Sequence, residues 1–274
     1  MHAEGRGGSA YALWLSGRPV IVVDMAAEAP AALVRAGAMP ATIDVLLISH
    51  LHADHVSGLP DFLWGEVTAE RRAPLVIAGP AGNEQTFPDT SEFLTRLIGK
   101  AGAFPVMSGL QEGNPFALRV TTLPTSSSTP QHVLKHQEVA ITALSVPHGA
   151  TPALAYRLDA PRFSIVFAGD QSGLNAAFTA FASDAEWLVL HVIASDRAKD
   201  DRLAGVVGLP GRFGSLARAA RVKHVVLSHL MGQPGASAAT SLWSLADIEE
   251  VLSSVRRAYG GPVTVASDLM CLEL

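Results

Sequence analysis

Three histidines and an aspartate crowd into six residues, His50-Leu51-His52-Ala53-Asp54-His55. Imidazoles with a carboxylate suit zinc or a similar borderline divalent ion. Such ions acidify water and stabilise negative charge, which is the chemistry of hydrolysis. The six residues follow a short, β-branched, apolar run, Ile43-Asp44-Val45-Leu46-Leu47-Ile48-Ser49, which reads as a buried strand. Residues i and i+2 of an extended segment project to one side, so His50 and His52 can meet one ion. Asp54 and His55 come as the chain turns into a helix, and can face a second ion beside the first. A chance cluster of surface or core histidines is a fair account of one lone histidine. It is a poor account of three around an aspartate at a strand end.

Four later positions share one pattern, an apolar strand with a ligand-type residue at its carboxyl end. They are His148 after residues 138–146, Asp170 after 163–168, His191 after 186–190 and His229 after 224–227. One histidine after a strand is ordinarily structural. Four such positions behind the first cluster, in the order His, Asp, His, His, are hard to dismiss together.

With "ISHLHADHVSGLP", "VPHGA", "FAGDQSG" and "VVLSHL", the chain resembles the metallo-β-lactamase-fold hydrolases over nearly its whole length. The resemblance is closest to the subgroup of tRNA 3′-processing ribonucleases and related phosphodiesterases. It implies an α/β fold, the four-layer αββα sandwich. It also implies two divalent metal ions, zinc in first place with manganese or iron as alternatives. His50, His52 and His148 would hold one ion and Asp54, His55 and His229 the other, with Asp170 bridging them. Asp54 would also orient a metal-bridging hydroxide, which makes it a catalytic candidate. His191 is the second catalytic candidate. In "LVLHVIAS" it stands where the subgroup often has a histidine followed by glutamate, but here Val192 replaces the glutamate. A partner to a ligand, a substrate-facing group and a plain core histidine are equal readings for His191.

The elements that must position these residues alternate strand and helix. Residues 10–15 and 19–24 flank Ser16-Gly17-Arg18 as a β-hairpin. Asp24 closes its second strand, either capping the next turn or, as the resemblance implies, accepting hydrogen bonds beneath the metal histidines. A short helix is expected over 28–38, a strand over 74–78 and helical spacing up to about residue 100. Residues 109–137 are the least regular, and "LPTSSSTPQHVLKHQ" reads as an exposed loop. His132 and His136 are four apart, a helical metal spacing, but no second ligand pair stands near them. In the second half strands are also expected over 153–158, 262–266 and 270–273. Helices are expected up to residue 181, over 213–220 and over 241–258. No linker separates the halves, so residues 1–274 read as a single domain of two face-to-face sheets with helices outside. Residues 59–64 and 109–137 are expected to overhang the metals. Phe62, Trp64 and Phe116 there are either substrate contacts or core.

Hydrophobic residues make up 49% of the 274 and charged residues 16%, against roughly 25% charged in an average domain. A large core is therefore available. The formal net charge of −5 supplies no broad basic surface for nucleic acid, though a metal site leaves room for a small anionic substrate. The single cysteine, Cys271, excludes an intrachain disulfide, and no apolar run reaches the ~20 residues of a membrane span. The resembled family usually carries one more strand ahead of "GRGGSAYAL". That leaves an upstream start or a removed leader open, with the cytoplasm as the default location.

The expected function is a dinuclear metal-dependent hydrolase acting on phosphodiesters or similar small esters, with no membrane partner and a homodimer as one option. Carboxylic esters, lactones or aryl sulfates are the alternative substrates, and a non-catalytic metal-binding protein is the alternative class. tRNA is not expected as the substrate. The resembling nucleases grip it with a long arm inserted between the third metal histidine and the bridging aspartate. Here only 21 residues separate His148 from Asp170. Those nucleases also carry a histidine ahead of the last helix–strand unit that assists the leaving group, and residues 207–211 here contain none.

Overall fold

The computed structural model describes residues 7–39, 41–83, 86–196, 203, 205–230 and 248–274. The chain divides into two compact units, one of residues 7–124 and one built from residues 125–274.

The first unit is a five-stranded sheet in the order β1-β2-β3-β4-β5. Its strands are β1 (Tyr11–Leu15), β2 (Arg18–Val23), β3 (Val45–Leu47), β4 (Leu75–Pro80) and β5 (Leu118–Leu123). Ser16 and Gly17, both at positive φ, turn the β1–β2 hairpin, and the remaining pairs are parallel. The helices are α1 (Ala29–Arg35), α2 (Ala53–Val56), α3 (Leu59–Thr68) and α4 (Thr90–Ile98). Asp89 starts α4 by accepting the Glu92 N–H at 2.7 Å. Leu46, Ile48, Leu75 and Ile77 pack with Leu59, Leu63, Leu94 and Ile98 in one core. All three residues of β3 are fully buried, which is why this strand reads as a continuous apolar run rather than an alternation.

A buried ion pair ties α3 to the start of β3. The Arg71 guanidinium donates to Glu66 Oε2 at 2.9 Å and to the carbonyls of Ile43, Ala73 and Pro74 at 2.7–2.8 Å. It also lies over the Phe116 ring, 5.5 Å from its centroid. With four of its five N–H donors bonded to Glu66 and to carbonyls, the charge is tolerated inside. Phe116 is 1% exposed and Phe62 6%, and both belong to the core; Trp64 is exposed.

The second unit is a seven-stranded sheet in the order β12-β11-β10-β9-β8-β7-β6. These are β6 (Gln131–His136), β7 (Val139–His148), β8 (Thr151–Ala160), β9 (Phe163–Phe167), β10 (Trp187–His191), β11 (His224–Ser228) and β12 (Val263–Val265). β6 to β9 are antiparallel neighbours and β9 to β12 run parallel. Three helices, α5 (Ala176–Phe181), α6 (Pro210–Ala219) and α7 (Ile248–Tyr259), bury Phe178, Phe213, Leu216, Val251 and Val255 against Leu188, Leu190, Val225 and Leu227. The α6–α7 contact needs a glycine. A Cβ on Gly214 would stand 2.7 Å from both the Ala258 Cβ and the Val255 carbonyl oxygen.

Two expectations change. The 109–137 stretch is more regular than its composition indicates: it holds part of a 3₁₀ helix (Pro105–Glu112) and the strands β5 and β6. Both strands lie at the edges of their sheets and stay partly exposed, so polar residues interrupt their pattern. Residues 270–273 form no strand, while 263–265 do. The expected 241–258 helix is seen from Ile248, its first residues lying outside those described.

Candidate metal centre

In the first unit the ligand-type residues are organised by Asp24. It follows β2 in the left-handed region, at φ 60°, and is fully buried. Such a backbone costs of order 1–3 kcal/mol and persists where its surroundings hold it. Here Asp24 N donates to the Leu47 carbonyl at 2.8 Å. Asp24 Oδ1 accepts Ser49 N–H at 2.7 Å, and Oδ2 accepts the Ser49 hydroxyl at 2.8 Å and His55 Nδ1–H at 2.8 Å. The Ser49 oxygen in turn lies 3.1 Å from His50 Nδ1. With the hydroxyl proton directed at Asp24, that oxygen accepts from His50. These partners assign the protons of His50 and His55 to Nδ1, which leaves the Nε2 lone pairs for a metal. His50 Nε2 and His52 Nδ1 lie 3.0 Å apart, a pair that either shares a proton or ligates one cation.

In the second unit Asp170, 4% exposed, sits among three histidines. The strands bring them together: β7, β9, β10 and β11 run in one direction, so their carboxyl ends share one edge of the sheet. His148 Nδ1 donates to the Val206 carbonyl at 2.8 Å. A carbonyl only accepts, so His148 Nε2 carries the lone pair, and it faces Asp170 Oδ2 at 3.6 Å. Asp170 Oδ1 accepts His191 Nδ1–H at 2.7 Å and lies 3.7 Å from His229 Nε2. The last residue is again left-handed, at φ 52°. Ligand atoms of Asp170, His191 and His229 lie within 4.8 Å of one another.

These donor sets fit divalent metal. The separations of 3.6 and 3.7 Å are too long for hydrogen bonds, yet suit two ligands of one ion at bond lengths of roughly 2.0–2.2 Å. Acceptors behind the rings hold His50, His55 and His148 in the tautomer that ligation requires.

Of the seven residues expected to bind metal, six take part in these two arrangements. Asp54 stands in the first turn of α2, partly exposed, and its carboxylate is in neither. His191 is no solitary core histidine, since it holds Asp170. Asp24 takes the acceptor role that the resemblance implied and caps no helix. His132 and His136 are excluded as a pair: a bulge in β6 between residues 132 and 134 turns them to opposite faces of the strand. Sequence reasoning missed the Val206 carbonyl, which has no side-chain signature. It also missed Phe87, whose ring lies 5.7 Å from that of His52.

Asp24→Asn is a direct check on this scaffold. An amide offers one neutral acceptor oxygen where a carboxylate accepted three hydrogen bonds, so metal affinity should fall by about 10–100-fold. Chelator competition would read this, and an unchanged affinity would reduce Asp24 to a strand-end residue.

Buried His/Asp sets at the carboxyl ends of the strands of each unit fit a metal-dependent hydrolase acting on ester bonds. Residues 21–230 match the β-lactamase superfamily domain, and the chain belongs to that family, with the metallo-β-lactamase fold. Among its relatives is ribonuclease Z of Methanosarcina acetivorans, 26% identical over 270 residues, an alignment covering 85% of this chain and 81% of that protein. The fold is shared with human tRNase Z, short form, at 18% identity and a TM-score of 0.69, covering 98% of this chain and 94% of that one. It is shared equally with the metallo-β-lactamase fold protein YhfI of Bacillus subtilis, at 18% identity and a TM-score of 0.68, covering 96% and 90%. Among the described residues no helix is long and apolar enough to cross a membrane.

Proposed function

We propose that the chain acts as one hydrolase domain whose two ligand sets close on two divalent ions, zinc first among them, and cleave phosphodiesters or similar small esters. His50, His52 and His148 hold one ion and Asp54, His55 and His229 the other, with Asp170 between them. The observation that carries this reading is Asp170, a buried carboxylate with one oxygen toward His148 and the other toward His191 and His229. Such ions, when bound, supply a deprotonated water and neutralise charge developing on the ester. The chain's own residues do the rest. Asp24 and Ser49 hold the His50 and His55 rings, the Val206 carbonyl holds His148, and His191 holds Asp170 by a proton on Nδ1. Asp54, partly exposed at the start of α2, would orient water at the ions.

Small substrates are favoured over tRNA. The stretch between His148 and Asp170 is taken up by β8 and β9, both strands of the sheet, which leaves no length for a substrate-gripping arm. Residues 207–211 lead into α6 without a histidine that could protonate a leaving alkoxide. General acid help is typically worth ~10²–10⁴ in rate, so a poor leaving group such as a ribose hydroxyl should depart slowly. Metal-loaded protein should therefore hydrolyse nitrophenyl phosphodiesters far faster than precursor tRNA. A panel of nitrophenyl phosphodiesters, nitrophenyl acetate, lactones, aryl sulfates and precursor tRNA would test it. Efficient, site-specific removal of a tRNA 3′ trailer would overturn the preference, and activity confined to acetate, lactone or sulfate would overturn the phosphodiester assignment.

A further inference from the structure

Phe87 stands apart from the other phenylalanines of the first unit. Phe62 and Phe116 are buried in its core and Phe93 packs against that core. Phe87 is half-buried and belongs neither to the core nor to the described residues packed on it. Its ring lies against His52 instead, with a centroid separation of 5.7 Å and the planes tilted by 57°.

The described residues on either side of this ring are tied to one another. They follow the carboxyl end of β4, the edge at which His50 follows β3. Asn83 Oδ1 accepts the Thr86 and Phe87 N–H groups at 2.8 and 2.9 Å, while Asn83 N–H donates to the Phe87 carbonyl at 3.0 Å. The backbone on both sides of the ring is thus held by one residue, through its side chain and its main-chain N–H. Gly82 permits the fold-back, because a Cβ there would meet the Phe87 carbonyl oxygen at 2.3 Å and Asp89 N at 2.6 Å. Pro88 restricts Phe87 to extended backbone, and Asp89 is held as the cap of α4. An apolar ring outside the described members of that core is held in place and partly open, alongside an imidazole of the metal-binding cluster.

We propose that Phe87 is a specificity-determining residue, an aromatic wall that favours phosphoesters carrying a planar aromatic group next to the phosphorus. The proposal rests on the reading of His52 as a metal ligand and of phosphoesters as the substrate class. An ester group seated at the ions puts its substituent beside the imidazole of His52, where the Phe87 ring offers an offset or edge-on partner to a planar group and little to an alkyl one. A phenyl ring and a nucleobase present the same π face.

Binding to the zinc-loaded protein, measured by calorimetry, tests this without turnover. Phenylphosphonate is compared with methylphosphonate, and adenosine 5′-phosphate with ribose 5-phosphate. The aromatic member should bind about 10-fold tighter in at least one pair. In Phe87→Ala that preference should fall to about 2-fold or less, with the non-aromatic member and the metal content unchanged; Phe87→Trp should keep it. The pair that responds identifies the planar group. A preference that survives Phe87→Ala, or an equal weakening of all ligands with loss of metal, would overturn the proposal, the latter leaving Phe87 as a support for His52 alone. If none of the four ligands binds the loaded wild type, the phosphoester reading fails and the aromatic wall fails with it.

Discussion

Asp170→Ala should abolish hydrolysis while leaving the fold in place. Asp170 is the carboxylate among three buried histidines, with one oxygen toward His148 and the other on His191 and toward His229. Alanine removes the single anion that both proposed ions share. The loss should exceed the ~10–100-fold typical of a group that only supports a ligand, and reach assay background. The fold does not depend on this side chain. β9 is held between β8 and β10 by its ladder, and Val166 and Ala168 belong to a core that Asp170 does not enter. Circular dichroism and thermal melting should accordingly change little. His191→Ala is the calibrating variant. It removes the proton that holds Asp170 Oδ1 but leaves the carboxylate, so a loss of about 10–100-fold is expected. Near-normal turnover by Asp170→Ala would make Asp170 an ordinary turn residue.

Most of the ligand-type residues were legible because they follow a buried strand. β3, β9, β10 and β11 are apolar on both faces, and the polar residue ending each run stands out. The β1–β2 hairpin was legible from Ser16-Gly17 between two apolar runs. The edge strands β5 and β6 were not. β5 and β6 are half-exposed, with arginine, threonine, lysine and histidine on the open face, so their composition is that of a loop. The bulge that separates His132 from His136 depends on pairing with β7 and leaves no local mark. Supporting contacts divided the same way. Asp24 carries a carboxylate that invites a role, whereas the Val206 carbonyl that orients His148 is backbone. Phe62 and Phe116 were left open between substrate contact and core, because a one-dimensional reading does not reveal which face of α3 is buried or how residues 109–117 pack. Phe87 was missed because its position depends on how residues 87–89 pack back against Gly82.

Metal content tests the central claim most directly. The donors gathered at the strand ends are nitrogen and oxygen, and the lone thiol, Cys271, is exposed and close to the carboxyl terminus. Ligation by imidazole and carboxylate suits zinc, manganese or iron, and about two ions per chain are needed for the proposed pair. His50 is fully buried, its Nδ1 is held by Ser49, and its Nε2 meets His52. Alanine at this position therefore removes a preorganised ligand from the centre of one set. The expected losses are large, with at least one ion released and hydrolysis of every substrate reduced to background. Elemental analysis of the dialysed wild type and of His50→Ala is the measurement. The account predicts about two divalent ions per wild-type chain, no sulfur ligand by X-ray absorption, and no more than about one ion in the variant. Full occupancy retained in His50→Ala, or a wild type that holds no divalent ion after loading, would contradict it.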